Sequence, residues 1–361
     1  MIVSEQTHSI KASVLAGERI NADQAKHLYT HASLDELQTL ATAVKTRYHQ
    51  PTCATYLVMA IVNYTNVCIA NCDFCAFFRF PHQAGGYLLS TAQLCAKIES
   101  FIDLDVDLIA FNGGFNPKLK IGNYEQLFAE LHTRYGHRLT FFAMTVAEFM
   151  FACKISKLSY LQGAKILRAA GVKWITGGGA EVLVDSFRQR HSKGKYSVAD
   201  YYDAQQAILA ASISSTATMV IGFDETLAER IGHLERLREF QDQQDIPMPS
   251  FLCWTYKPEN NRLGGYEITT AEYLRWLAIC RIYLDNFKHI RTSVLTKNAD
   301  ALRGLAFGAD DFDIPLADEV TEMAGATIEA DYQRILTHAR QLGLQPTLRS
   351  AFANMPKSTF A

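Results

Sequence analysis

The sequence predicts an α/β chain closing into a (β/α)8 barrel, with a helical extension before it and a helix after it. Three observations predict this. Short apolar runs of strand length alternate with longer stretches of helical spacing. Eight such pairs follow one another after Pro51. No Gly-x-Gly-x-x-Gly follows the first apolar run, which removes the usual dinucleotide reason for a doubly wound sheet, the runner-up architecture. The chain has 361 residues, 48% of them hydrophobic, enough to bury a large core.

Residues 1–50 read as the helical extension, because 12–16, 22–28 and 34–44 carry helical spacing. The barrel is expected over 51–345, and 346–361 as a C-terminal strand or coil and loose tail. Strands are expected at 57–62, 107–111, 139–144, 173–176, 215–221, 250–255, 291–295 and 310–313. Helices are expected at 90–101, 123–134, 160–170, 199–211, 225–242, 269–285 and 299–306, with the last at 328–342.

Formal net charge is −2 and no long basic run occurs, so nothing suggests a nucleic-acid surface. No stretch of 18 apolar residues and no signal-peptide pattern is found, so no membrane association and a cytoplasmic location are expected. A core of this size needs no disulfide staples, and the eight cysteines are unevenly spread. Cys95 and Cys280 lie in apolar helical patterns and read as core thiols, whereas Cys53 and Cys153 take no role.

Cys68, Cys72 and Cys75 crowd into eight positions after the first strand, as Cys-x3-Cys-x2-Cys. A structural zinc site wants four protein ligands, and His82 is the one neighbour that offers a fourth. Three thiolates instead suit an iron–sulfur cubane with one iron left open for an exchangeable ligand.

Other candidates follow strand ends, where a barrel carries its chemistry. Asn112, Gly113 and Gly114 follow the second strand, as a close approach to a ligand or as a tight turn. Glu148 follows the third. Gly177, Gly178, Gly179, Ala180 and Glu181 follow the fourth, with Glu181 as a hydrogen-bond acceptor at the mouth or a helix-capping acid. The charged loop after it, VDSFRQRHSKGK, is expected to cover the mouth, with His191 in it facing solvent. Gly222 ends the fifth strand, and Asp224 reads as the N-cap of the next helix. Trp254 and Tyr256 follow the sixth, flanking an aromatic substrate or serving as rim aromatics. Thr292, Ser293, Thr296 and Lys297 make the seventh strand's end polar, with Lys297 as partner for a substrate carboxylate or as a solvated lysine.

The cysteine spacing, with Phe74 just before Cys75, resembles the radical SAM superfamily. The resemblance implies a [4Fe-4S] cluster on Cys68, Cys72 and Cys75 whose open iron takes the amino and carboxylate groups of S-adenosylmethionine (SAM). An electron then cleaves SAM to methionine and a 5′-deoxyadenosyl radical. It further implies a low-potential donor of the flavodoxin or ferredoxin type. Phe74, Phe77, Asn112, Gly113, Gly114, Gly178, Glu181 and Gly222 become the expected SAM-contacting positions.

From about residue 12 to 345, the cluster loop, the Gly-Gly-x-Asn-Pro turn, GGGAE, LGG and FGADD resemble the cyclic dehypoxanthinyl futalosine synthases of menaquinone biosynthesis. The deazaflavin-cofactor synthase subunits and aminofutalosine synthases match less well over GGGAEVLVD and WTYKPENNRLGG. In the cyclase family the radical takes hydrogen from C4′ of the substrate ribose, the carbon radical attacks the benzoate ring, and loss of an electron and a proton gives a spiro product. Glu181 and Glu148 are then the expected proton acceptors. Three departures mark the substrate side: Phe115 for the family's threonine, Phe223 for a histidine, and Ser293-Val294-Leu295-Thr296-Lys297-Asn298 for Ser-Trp-Val-Thr-Gln-Gly.

Overall fold

A computed structural model describes residues 2–349 except 103, 105 and 330. The chain opens with α1 (Ile2–Ala16), α2 (Ala22–His31) and α3 (Leu34–Lys45). Then come β1 (Cys53–Asn63), α4 (Thr91–Ile102), β2 (Leu108–Asn112), α5 (Ile121–Tyr135), β3 (Thr140–Thr145), α6 (Val146–Ser156) and α7 (Tyr160–Ala169). Strand β4 (Trp174–Thr176), α8 (Asp185–His191), α9 (Val198–Ala210), β5 (Ser214–Ser215), β6 (Ala217–Ile221) and α10 (Leu227–Asp242) follow. The last part holds β7 (Ser250–Thr255), α11 (Thr270–Tyr283), β8 (His289–Ser293), α12 (Val294–Lys297), a 3-10 helix (Asn298–Ala306) and β9 (Asp311–Pro315). It ends with α13 (Glu319–Met323), α14 (Tyr332–Gln341) and β10 (Gln345–Leu348).

Every ladder is parallel, in the order β5-β4-β3-β2-β1-β9-β8-β7-β6. Strands β5 and β6 are two pieces of one extended run broken at Thr216; one pairs with β4, the other with β7. Counted as one run, they bring the nearly closed ring to the eight strands expected. The break has a local cause. The chain leaving β4 presses on Thr216 so closely that a Cβ on Gly177 would lie 2.1 Å from the Thr216 carbonyl oxygen. Gly177 N–H donates to Thr216 Oγ1 (3.1 Å), and Gln205 Nε2 donates to the Thr216 carbonyl (3.2 Å).

The core lies between strands and helices. One part gathers β6–β9 with α2, α3, α10 and α11; the other gathers β1–β4 with α4–α7 and α9. Inside the ring, Leu57, Met59, Leu108 and Ala110 form a small apolar plug with Ile61 and Phe142. The N-terminal helices start on capping boxes at Asn21 and Ser33, and α2 and α3 pack on α10 and α11. Cys95 and Cys280 are buried, as expected.

Several elements differ from expectation. Helix α6 was not expected, because it is apolar nearly all round and carries no amphipathic period to read. The loop expected around His191 contains the short helix α8. The strand expected at 291–295 ends at Ser293, whose Oγ accepts the Thr296 N–H and starts α12. The segment at 299–306 is 3-10 rather than α. Strand β10 pairs with β1, and Arg349 forms an ion pair with Asp311 (2.7 Å), so part of the expected tail belongs to the barrel. The rest of that tail, 350–361, lies outside the described residues. No described helix is long and apolar enough to cross a membrane.

Candidate active site

A cavity of about 350 Å³ opens at the C-terminal end of the barrel. Its walls include the final residues of six strands: Asn112, Thr145, Thr176, Thr255, Ser293 and Pro315. Met59, Ile61, Phe142 and Leu252 make its deeper part apolar.

Cys68, Cys72 and Cys75 all line this cavity, on the loop that leaves β1. The loop is pinned by backbone. Cys68 N–H donates to the Arg79 carbonyl (2.9 Å), Arg79 N–H to Asn66 (2.8 Å), and Asp73 accepts from Arg262 (2.9 Å) and Leu263 (3.0 Å). Cys68 Sγ accepts the N–H groups of Ala70 (3.4 Å) and Phe115 (3.3 Å). Burial raises the pKa of all three thiols, Cys72 to about 12. A metal centre taking them as thiolates must therefore offset that burial with its own charge.

The spread of the thiols separates zinc from a cluster. Two sulfurs on one zinc ion lie at most about 4.6 Å apart, given Zn–S bonds near 2.3 Å. Among the described residues, only His49, His289 and Asp310 bring three ligand atoms within 4.8 Å of one another. The cysteine trio does not converge as a single-ion site, and three thiols on one loop at the cavity wall suit the [4Fe-4S] cubane by their number and chemistry. The approach of β2's end to this loop fits too. A Cβ on Gly114 would sit 2.6 Å from Cys68 Cβ, so only glycine admits the contact.

Phe74, Phe77, Asn112, Gly113, Gly114, Gly178, Glu181 and Glu148 line the cavity with the thiols. Gly222 does not; its N–H donates to Glu225 Oε1 (2.8 Å). Glu181 accepts from Lys195 Nζ at 2.7 Å, with Arg188 at 3.7 Å. Burial works against the Lys195 charge, but Cys72 and Glu181 outweigh it and raise its pKa. Glu148 is held by four donors: Tyr64 Oη, Gly113 N–H (2.9 Å), Thr145 N–H (3.0 Å) and Thr145 Oγ1 (2.6 Å). It caps α6 and fixes the glycine turn, while burial raises its pKa.

Lys297 is not among the cavity side chains. Its Nζ donates to Glu267 Oε1 (2.7 Å) and to the Ile268 carbonyl. His191 is buried rather than solvent-facing, bridging Asp73 (3.0 Å) and Asp224 (2.6 Å). Asp224 is thus engaged away from the helix end, and Thr226 is the N-cap of α10. Trp254 and Tyr256 both line the cavity. The departures form aromatic walls: Phe115 stacks on Phe151 (4.8 Å), and Phe223 packs on Phe74 (5.1 Å) and Tyr256 (4.6 Å).

Residues 62–237 match the radical SAM superfamily, and 248–358 match the CofH/MqnC C-terminal region. The chain is 32% identical over 339 residues to the cyclic dehypoxanthine futalosine synthase of Halalkalibacterium halodurans, covering 92% of this chain and 90% of that one. It is 34% identical to the protein of the same name from Streptomyces coelicolor, covering 93% and 85%.

The chain belongs to the radical SAM superfamily.

It is an enzyme of that superfamily, and its cofactors are a [4Fe-4S] cluster and SAM. A Thermus thermophilus relative named aminodeoxyfutalosine synthase is 32% identical, covering 88% of this chain and 86% of that one. The crystal structure of methylornithine synthase shares the fold at a TM-score of 0.73, with 14% identity, covering 95% of this chain and 98% of that one.

This radical SAM cavity also holds charged groups that sequence reading missed. Arg291, which is buried, and Asp313, which is partly exposed, face each other across β8 and β9 as an ion pair, with Arg349 at 3.5 Å from Asp313. Burial lowers the Arg291 pKa to about 10; its Nε makes no hydrogen bond and lies 3.7 Å from Asp311 Oδ2. Asp318, just after β9, is buried at the cavity wall, and burial raises its carboxyl to about 6. Its Oδ1 has no partner. The signal for Arg291 was strand parity: Ser293 lines the cavity, so the residue two earlier points the same way. Lys195 lies in the charged loop expected to cover the mouth, whereas nothing in the sequence marked Asp318.

Proposed function

We propose that the protein cyclises dehypoxanthinyl futalosine to cyclic dehypoxanthinyl futalosine in menaquinone biosynthesis. The observation that carries this reading is one cavity uniting the three-thiol loop, an apolar interior and a buried arginine. The similarity over about nine-tenths of the chain to two proteins named for that reaction supports it.

When bound, the cluster and SAM supply the 5′-deoxyadenosyl radical that takes hydrogen from C4′ of the substrate ribose. The chain's own residues do the rest. Phe74, Phe77, Asn112, Gly113, Gly114 and Gly178 hold SAM beside the thiols, with Glu181, oriented by Lys195, as an acceptor for it. Glu148 positions the Gly113 backbone from behind. Arg291 takes the benzoate carboxylate, the role for which Lys297 is turned the wrong way. Phe115 and Phe223 keep the site dry. When the ring regains aromaticity the cyclised radical loses one electron, for which the oxidised cluster would be the acceptor, and Asp318 Oδ1 accepts the proton, a task suited to a carboxylate with a raised pKa. A flavodoxin or ferredoxin type carrier provides the electron, and a cytoplasmic location suits reduced thiols and such a partner.

A second reading is a paralogue acting on another aromatic or nucleoside-like substrate. It is favoured by Phe115 and Phe223, which replace polar family residues with phenyl rings on the cavity wall. Anaerobic incubation with SAM, a reductant and dehypoxanthinyl futalosine separates the two. A product two hydrogens lighter, formed in proportion to 5′-deoxyadenosine, is the expected result. Steady 5′-deoxyadenosine with unchanged substrate would refute the cyclase and leave the paralogue.

A further inference from the structure

At the floor of the cavity two arginines and two aspartates come together: Arg291, Arg349, Asp311 and Asp313. Arg291 and Asp313 line the cavity, whereas Arg349 and Asp311 do not. Strand geometry explains half of the arrangement. Arg291 and Asp311 are register partners on β8 and β9, and Asp313 lies two residues nearer the mouth on the same face of β9. Arg349 arrives from elsewhere in the chain. Strand β2 begins only opposite Met59, which leaves the earlier part of β1 to pair with β10. Arg349 follows the last pair of that ladder, Tyr56 with Leu348, and its N–H donates to the Tyr56 carbonyl (2.9 Å). From there its buried side chain reaches past β1 to the aspartates of β9.

The two guanidiniums divide the carboxylates unequally. Arg349 Nε donates to Asp311 Oδ2 at 2.7 Å, with its Nη2 3.5 Å from Asp313 Oδ1. Arg291 does the reverse. It pairs closely with Asp313, while its Nε stands 3.7 Å from Asp311 Oδ2 without a hydrogen bond. Asp311 Oδ1 has no partner either. Arg349 is thus the main partner of a buried carboxylate, and the other cation beside that carboxylate is Arg291. An unpaired buried carboxylate is strongly unfavourable. Without Arg349, Arg291 would turn down to Asp311 and away from the cavity. The two cations also feel each other: burial, and after it the Arg349 charge, lower the Arg291 pKa. A third carboxylate arriving from the cavity relieves that repulsion.

We propose that Arg349 is a positioning residue for substrate binding: by holding Asp311, it keeps Arg291 at the cavity wall for the substrate carboxylate. The inference rests on the assignment of Arg291 to that carboxylate. Arg349 does not line the cavity, so it acts only through the aspartates. An Arg349 that merely held β10 on β1 would, when lost, weaken every ligand alike. A positioning Arg349 matters only to ligands that carry the carboxylate, and its loss is repaired by removing the charge that draws Arg291 down.

The test is calorimetric binding, under anaerobic conditions, to the full chain loaded with cluster and SAM, with no reductant so that nothing turns over. The two probes are dehypoxanthinyl futalosine and its analogue with hydrogen in place of the carboxylate. Wild type should bind the first roughly tenfold or more tighter. Arg349→Met should erase most of that preference by weakening the substrate, with the analogue held within about twofold. Adding Asp311→Asn to Arg349→Met should restore the preference. Arg349→Lys keeps the charge without the planar fork and should fall between. Should Arg349→Met not fold, Arg349→Lys with and without Asp311→Asn carries the same comparison. Equal losses for both probes, no recovery on adding Asp311→Asn, or a wild-type preference in Arg349→Met would overturn the proposal. Wild type that binds both probes alike, or neither, would overturn the role of Arg291 and this one together. Binding that follows the expected series, with no product once reductant is added, would refute the cyclase alone and leave the role of Arg349 standing.

Discussion

Replacing Gly114 with alanine tests whether the end of β2 and the cluster loop touch as described. The added Cβ would meet Cys68 Cβ at 2.6 Å, the Val67 carbonyl oxygen at 2.9 Å and Cys68 Sγ at 3.3 Å. Ordinary carbon contacts begin near about 3.5 Å, so the loop must retreat by roughly 1 Å. Overpacking of this kind costs about 1–3 kcal/mol. A loop free of metal can relax the clash, but one whose Cys68 is fixed to a cluster cannot. The penalty therefore falls on the cluster-bound form and weakens cluster retention roughly 5- to 150-fold. Iron and sulfide per chain after anaerobic reconstitution, and the rate of cluster loss to a chelator, report it. Gly122→Ala is the control. It lies in α5 with nothing within 4 Å of its added Cβ, so it should keep the full cluster and gain about 0.5–1 kcal/mol of stability. A Gly114→Ala protein with wild-type iron and wild-type chelator resistance would show that the loop does not rest on this position.

Cys72→Ala should abolish the cluster and all SAM cleavage, whereas Cys280→Ala, buried in α11, should keep both and lose on the order of 1 kcal/mol of stability. Asp318 must be ionised to accept a proton, so coupled product formation should rise with pH through about 6, and Asp318→Asn should remove that limb with a roughly 100-fold or greater loss. Product and 5′-deoxyadenosine are followed together across pH. The same raised pKa has a stability consequence. The folded state holds a proton that the unfolded state releases, so Asp318's contribution is full below the ordinary 3.8 and is lost as pH climbs through about 6. Denaturation of Asp318→Asn should lack that slope. The double change Arg291→Met with Asp313→Asn, which leaves neither charge buried alone, should raise KM for the benzoate substrate roughly 10- to 150-fold, with SAM cleavage by dithionite retained. Unchanged KM would remove Arg291 from carboxylate recognition.

The sequence by itself determined the chemistry that depends on local spacing. Cys68, Cys72 and Cys75 share one short loop, and the strand before them aims that loop at the barrel's C-terminal face, so the candidate ligand set and its place in the fold were both readable. The same holds for Gly113 and Gly114, where only a chain without a Cβ passes so close to another loop. Alternation of strand and helix periods was enough for the barrel, because each period reports which face is buried. Tertiary structure decided what each charged side chain does. Lys297 and Arg291 lie six residues apart at the same strand end, yet one turns to Glu267 and the other into the cavity. His191 read as exposed until the fold brought Asp73 and Asp224 to its two nitrogens. Glu148 read as a reactive acid until Tyr64, Gly113 and Thr145 surrounded it. The physical reason is range. Spacing and periodicity act over a few residues, whereas the partner that fixes a charge, or the burial that raises Asp318 to about 6, comes from strands and loops far away in the chain.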